Sequence, residues 1–247
     1  LALELMQLAR DPNVAFDKIK RLVEAEPMLA GKVLTTAQSA YYSRGTAMTS
    51  LEDAMARLGL RTLADLFLQA AMSARVFRAP GFERPMEVLR KHSVVTATMA
   101  RSVCRQTGFP DEYAYMCGLL HDVGMAACIL LVADVPRGEP LPVFGLVAPS
   151  IELVHAEASG VVVRAWQLPT DVQLVVEHHQ QFLIGGRAHP LAAAICLADW
   201  LAAGAGASAG GEACSDAVAK STLEVLRLSE SQFQRLVDEA KVVAAAL

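Results

Sequence analysis

The sequence predicts an all-α protein. Apolar side chains recur at three- and four-residue spacing along most of the chain, the pattern of a helix with one buried face. Interruptions fall at proline, glycine and small polar residues, which stop or cap helices. No segment alternates apolar and polar residues as a half-buried strand would.

Composition supports a packed core. Of 247 residues, 53% are hydrophobic and 19% charged, so the chain can bury a sizeable interior. Net charge is -4 with no block of like sign, which argues against a nucleic-acid-binding face. No uninterrupted apolar run approaches the roughly 18 residues of a membrane span, so no membrane association is expected. No signal peptide is visible, although the chain starts at Leu1 rather than Met. Cys104, Cys117, Cys128, Cys196 and Cys214 are odd in number and form no C-x-x-C pair. Reduced thiols in a cytoplasm are the expected reading, and a zinc–thiolate site is not.

The elements follow in order. Asp11-Pro12 ends a first short helix, and Pro27 suits the first turn of the next, which runs towards Tyr41. Ser50 can cap a helix that Gly59 closes, with Asp53 near its positive end. A longer helix carries Leu63, Leu66, Phe67 and Ala70 on one face. Ala79-Pro80-Gly81 is a turn, which places a boundary between lobes of residues 1–78 and 79–247. Pro85 opens a long helix holding His92 and ending at Gly108, and Pro110-Asp111 begins the helix that reaches His121-Asp122. Pro136, Gly138, Pro140, Pro142 and Pro149 interrupt 134–149, so this stretch is expected to be a loop, with Ser150 capping a helix that bears His155 and Trp166. Leu168-Pro169-Thr170 is a corner, and the next helix ends in His178-His179. Trp166 and Leu168 are expected to pack between the helices bearing His155 and His178. Gly185-Gly186 marks a loop, Pro190 opens a helix containing Asp199, and residues 204–211 read as a flexible surface loop. Ser229 with Gln232 is a capping box for the last helix.

Against this apolar background the histidines are unusual. His92, His121, His155, His178 and His179 fall at helix positions, accompanied by Asp122 and Asp199. Any one of them alone is more simply a satisfied or half-exposed polar residue, and His189, in a loop beside Pro190, keeps that reading. Together they are different, because burying so many polar groups is costly without hydrogen bonds or a metal. Imidazole and carboxylate form a mixed N/O set suited to iron, manganese, cobalt or zinc. Two metals about 3.5–4 Å apart could clamp a phosphate oxygen. His121 and Asp122 lie about 100° apart on a helix, so both reach one cleft only near a helix end or kink, and Gly124 permits one.

Gly118-Leu119-Leu120-His121-Asp122-Val123-Gly124 resembles the G-L-L-H-D-I-G signature of HD-superfamily domains. Other stretches resemble the HDOD branch: Glu26-Pro27-Met28-Leu29 is similar to D-P-x-L, and residues 34–42 are similar to L-x-x-A-N-S-A-x-Y, with Gln38 in place of Asn. Residues 50–59, His155 with Trp166-Gln167-Leu168-Pro169, Glu177-His178-His179 and Ala198-Asp199 extend the likeness.

The resemblance implies an HDOD-like helical fold, with an N-terminal helical lobe and a C-terminal HD-like lobe. It also implies a bacterial signalling role as an output or scaffold module that contacts signalling proteins. Carried over residue by residue, it makes His92, His121, Asp122, His155, His178, His179 and Asp199 the ligands of one or two divalent metals (iron, manganese, zinc or magnesium). Two departures matter. Met125 stands where catalytic HD enzymes carry Lys, and Gln180-Gln181-Phe182-Leu183 follows His179 with no G-Y-P. Both favour a signalling module over the alternative, a metal-dependent phosphohydrolase of a nucleotide or cyclic nucleotide with Asp122 as its catalytic residue. In the first reading partners could use the loop 134–149, although a plain connector is the simpler reading of that stretch; in the second the ligand is a nucleotide or phosphate.

Overall fold

A computed structural model describes residues 16–25, 27–39, 41–42, 50–110, 113–136, 138–209 and 215–247. The Asp11-Pro12 break, Glu26, Ala40, Asp111, Gly210, Gly211 and Cys214 lie outside them. The described residues are mostly helical, as the sequence predicts. They divide into two compact units, one up to Arg75 and one from Val76.

The first unit holds α1 (Phe16–Glu24), α2 (Pro27–Gln38) and α3 (Leu51–Arg75). Ile19 and Val23 of α1 and Leu29, Val33 and Ala37 of α2 recur at four-residue spacing and are buried. They meet Met55, Leu63 and Phe67 of α3 in one core. The Ser50 hydroxyl accepts the Asp53 N–H at 3.1 Å, the predicted cap. Gly59, at φ 75° and ψ 161°, breaks α3 into two helical stretches, because only glycine takes that backbone without strain.

The second unit starts with α4 (Glu83–Thr107), which ends on Gly108 in a left-handed cap (φ 72°). Next come α5 (Ala114–Leu120), α6 (Val123–Ala133), α7 (Phe144–Ala165) and α8 (Thr170–Glu177). A hairpin of β1 (Leu183–Ile184) and β2 (Arg187–Ala188) leads to α9 (Pro190–Gly204), α10 (Asp216–Val225) and α11 (Glu230–Ala245). Ala192 to Ala198 in α9 are buried without exception, and the small Ala192, Ala193, Ala194, Cys196 and Ala198 among them let α9 lie close along α4. The capping box is present: Ser229 N–H donates to Gln232 Oε1 at 3.0 Å, and Gln232 N–H to Ser229 Oγ at 3.3 Å.

Several expectations need correction. Helix α7 begins at Phe144, not at Ser150, so the connector shrinks and Pro149 sits inside the helix. An interior proline costs about 3 kcal/mol. Here the first turns are anchored by Phe144 against the Phe82 ring (5.9 Å between centroids) and by buried Ile151, and tertiary packing outweighs propensity. The Gly185-Gly186 loop proves to be the turn of a hairpin, with both glycines at positive φ (58° and 76°). Its two-residue strands are too short to leave a period-2 trace. Trp166 does not pack inside: it is 43% exposed and Leu168 only half-buried. Gln167, at φ 53°, reverses the chain at the end of α7 and leaves the indole at the surface. Ala207, in the stretch read as a surface loop, is buried.

Two stretches, Ala114–Ala133 and Phe144–Ala165, prove long and apolar enough on average to cross a membrane, although no single apolar run is. The first is interrupted by His121-Asp122 and 67% of it is buried within the fold. Cys104, Cys117, Cys128 and Cys196 are free thiols.

Candidate metal centre

The second unit gathers its polar residues at one point. His92 projects from mid-α4, and His121 and Asp122 occupy the break between α5 and α6. His155 comes from α7, His179 from just past α8, and Asp199 from α9. All six are buried.

The local sequence makes this possible through two glycines. A Cβ on Gly118 would lie 2.6 Å from the Ala97 Cα, so glycine lets α5 press against α4. A Cβ on Gly124 would lie 2.2 Å from the His155 carbonyl oxygen and 2.3 Å from the Ser159 nitrogen. The Gly124 N–H instead donates to Ser159 Oγ at 2.8 Å, tying the start of α6 to α7. The two glycines of the G-L-L-H-D-V-G stretch thus set both flanks of the break that presents His121 and Asp122.

Each imidazole is oriented from behind. Nδ1 of His92 faces the Ala207 carbonyl (2.7 Å), and Nδ1 of His121 that of Gly118 (2.8 Å). Nδ1 of His155 faces Glu152 O (2.5 Å), and that of His179 faces Val176 O (2.8 Å). A carbonyl oxygen can only accept, so every Nδ1 must carry the hydrogen and every neutral ring turns an Nε2 lone pair inward. The Gln180 amide, 3.2 Å from His155 Nε2, can donate to that lone pair. The Cys196 thiol donates to the His179 carbonyl at 3.0 Å and steadies that turn.

The inward atoms form two groups, His92–His121–Asp199 and Asp122–His155–His179. Nε2 of His92 lies 3.0 Å from that of His121 and 3.2 Å from Asp199 Oδ1. Nε2 of His155 lies 3.2 Å from that of His179. Asp122 spans both groups: Oδ2 is 3.3 Å from His121 and 3.5 Å from His92, while Oδ1 is 3.3 Å from His179 and 3.5 Å from His155.

Lone pairs and carboxylate oxygens this close repel unless a cation stands among them. Burial disfavours an imidazolium at His92, yet Asp122 and Asp199 outweigh it and raise its pKa to about 10. Burial likewise opposes ionisation of Asp122, but His121, His179 and His92 hold its carboxyl well below the ordinary range. Asp199 is lowered by His92 and His121 against the same opposition. The pocket therefore demands positive charge. One proton can satisfy one group, and two metal ions would satisfy both, with Asp122 shared. The donor set fits a borderline divalent metal.

Of the seven predicted ligands, six converge. His178 stands outside both groups, half-buried, with Nδ1 3.0 Å from the Leu174 carbonyl. His189 caps α9, accepting the Ala192 N–H at 3.3 Å. Met125 and Gln180, noted in the sequence only as departures beside the motifs, line the pocket together with Ala203, Ser208 and Ala209, which sequence reasoning missed. It also missed Ala207, which acts through a backbone carbonyl and leaves no side-chain signal. The pocket is partly open to solvent and measures about 20 Å³, little more than the roughly 10–15 Å³ that one water needs.

The HDOD domain family model matches residues 1–182. The chain belongs to the HDOD family. Asp199 lies beyond the matched segment, yet α9 delivers it to the same centre. A curated but uncharacterised protein of Treponema pallidum is 24% identical over 186 residues, which is 72% of this chain. The chain spans about a third of that relative's length (36%). Among solved structures, an HDOD domain protein of Geobacter sulfurreducens matches with a TM-score of 0.70 at 22% identity, covering 99% of this chain and 90% of its own. A candidate metal-dependent phosphohydrolase of Shewanella amazonensis gives a TM-score of 0.73 at 16% identity, covering 99% and 89%. A candidate signal transduction protein of Marinobacter aquaeolei gives 0.66 at 20%, covering 99% of this chain and 57% of its own. These likenesses support the fold.

Proposed function

We propose that this HDOD chain is a bacterial, cytoplasmic signalling output module that works by binding other signalling proteins. Its centre is a vestigial or regulatory metal site: His92, His121 and Asp199 would hold one divalent ion, and Asp122, His155 and His179 a second. Metal bound there would supply the positive charge that the buried carboxylates require. The observation that carries the signalling reading is the wall of the site. Among the described residues that line this partly open pocket there is no Lys or Arg to meet a phosphate. Met125, buried at its wall, offers no cation to a phosphate.

A second reading, hydrolysis of a nucleotide or cyclic nucleotide phosphate, is favoured by one observation: two ligand groups share a carboxylate, as two-metal phosphoryl chemistry requires. The Shewanella neighbour's name points the same way. Elemental analysis of protein purified without chelator, followed by a phosphodiesterase screen with added manganese or iron, separates the two. Metal without turnover is expected. Turnover lost in Asp122→Ala would overturn the signalling reading in favour of the enzyme.

A further inference from the structure

We infer a second ligand site beside the metal centre, for a short aliphatic molecule carrying a positively charged amine. A cavity of about 90 Å³ lies between α4, α6 and α7. Its wall is formed by buried Leu89, Ile129 and Ile151, the Phe144 ring and the Met125 thioether. That volume exceeds what one water needs and falls short of the roughly 150 Å³ that holds benzene, so it takes a chain of about five heavy atoms.

Among the described residues, one charged group lines this apolar wall. The Glu152 side chain is half-buried, and among the described residues it makes no hydrogen bond or ion pair. A carboxylate beside a hydrophobic cavity loses hydration without gaining a partner, and a bound cation restores what was lost. The same charge repels carboxylates and phosphates. Shape and charge together therefore select an alkylammonium.

The two cavities are linked through named groups. Met125 and Ala209 line both, and the Glu152 carbonyl accepts the His155 Nδ1–H. An occupant would thus touch the helical turn that aims a metal-centre imidazole. The ligand site itself stands on the cavity and the lone carboxylate and does not require metal to be bound.

The test uses the full chain, metal-free under chelation, with n-butylammonium, 1-butanol and butyrate as probes. Methyl NMR of Met125, Ile129 and Ile151 reports occupancy. Saturable shifts at these methyls are expected, strongest affinity for butylammonium and weakest for butyrate. Glu152→Gln removes charge without breaking any contact. It is expected to weaken butylammonium by about tenfold while leaving 1-butanol within about twofold. Ala148→Phe, which fills the cavity, is expected to abolish both. No saturable shift in the unmodified chain, or an unchanged butylammonium affinity in Glu152→Gln, overturns the inference.

Discussion

Asp122 holds the centre together because each of its oxygens serves a different group. Replacing it with Asn keeps size and shape but removes the charge that two cations would share. Asp122→Asn is expected to lower metal content by at least one equivalent on elemental analysis, whereas His178→Ala, outside both groups, is expected to leave it intact. Equal losses in the two variants would mean that His178 is a ligand after all. Charge also sets the response to pH. The His92 pKa rises from its ordinary 6.5 to about 10 in the fold, so the metal-free protein gains stability that is complete below pH 6.5 and lost as pH rises through 10. The slope in that window approaches about 1.4 kcal/mol per pH unit. Asp122 and Asp199 are shifted the other way, so their contribution is present above the ordinary carboxylate range and lost only on acidification. Chelated protein is therefore expected to melt at lower temperature at pH 9 than at pH 7. Metal, by replacing the proton on His92, is expected to flatten that dependence.

Helix pairs meet closely only where side chains allow it, and Gly124 is the tightest such place. Gly124→Ala would drive a methyl into the His155 and Ser159 backbone and part α6 from α7. The expected loss is about 3 kcal/mol by denaturant unfolding, together with weaker metal retention. Gly145→Ala, in α7 and with open space around its Cα, is expected to be neutral or stabilising by under about 1 kcal/mol. Elements of this kind were largely legible in the sequence. Caps at Ser50, Gly108 and Ser229 and the break at His121-Asp122 follow from short-range chemistry, which a sequence displays. The start of α7 does not, because its proline is overruled by Phe82 and by packing from outside the segment. Nor does the outward Trp166, set by one left-handed residue, Gln167. The six residues of the candidate centre were readable because histidines are few, six in all, and most of them fall with Asp122 and Asp199 in the family's motifs. The support from Ala207 was not, since it acts through a backbone carbonyl, nor were Ala203, Ser208 and Ala209 in the wall, which look like ordinary small residues.

For the molecule as a whole, metal acts as a ligand of the folded state. Binding only the native form stabilises by about 2.7 kcal/mol at a hundredfold excess over Kd. For a unit of this size that is a rise in melting temperature of roughly 5–10 °C. The stabilisation has a definite address. Every candidate ligand belongs to the unit that starts at Val76, while α1, α2 and the packed face of α3 have a core of their own built from Ile19, Val33, Met55 and Phe67. Hydrogen exchange followed by mass spectrometry can read the difference. Zinc or manganese added to chelated protein is expected to slow exchange in peptides that cover His92, the His121-Asp122 break, His155, His179 and the Asp199-to-Ala207 stretch. Peptides from Phe16 to Gln38 are expected to keep their rates under conditions where local opening dominates. Uniform slowing across both units would show that metal stabilises the chain only as one cooperative body. No slowing around His121-Asp122 would show that the buried imidazoles take up no metal and hold a proton instead.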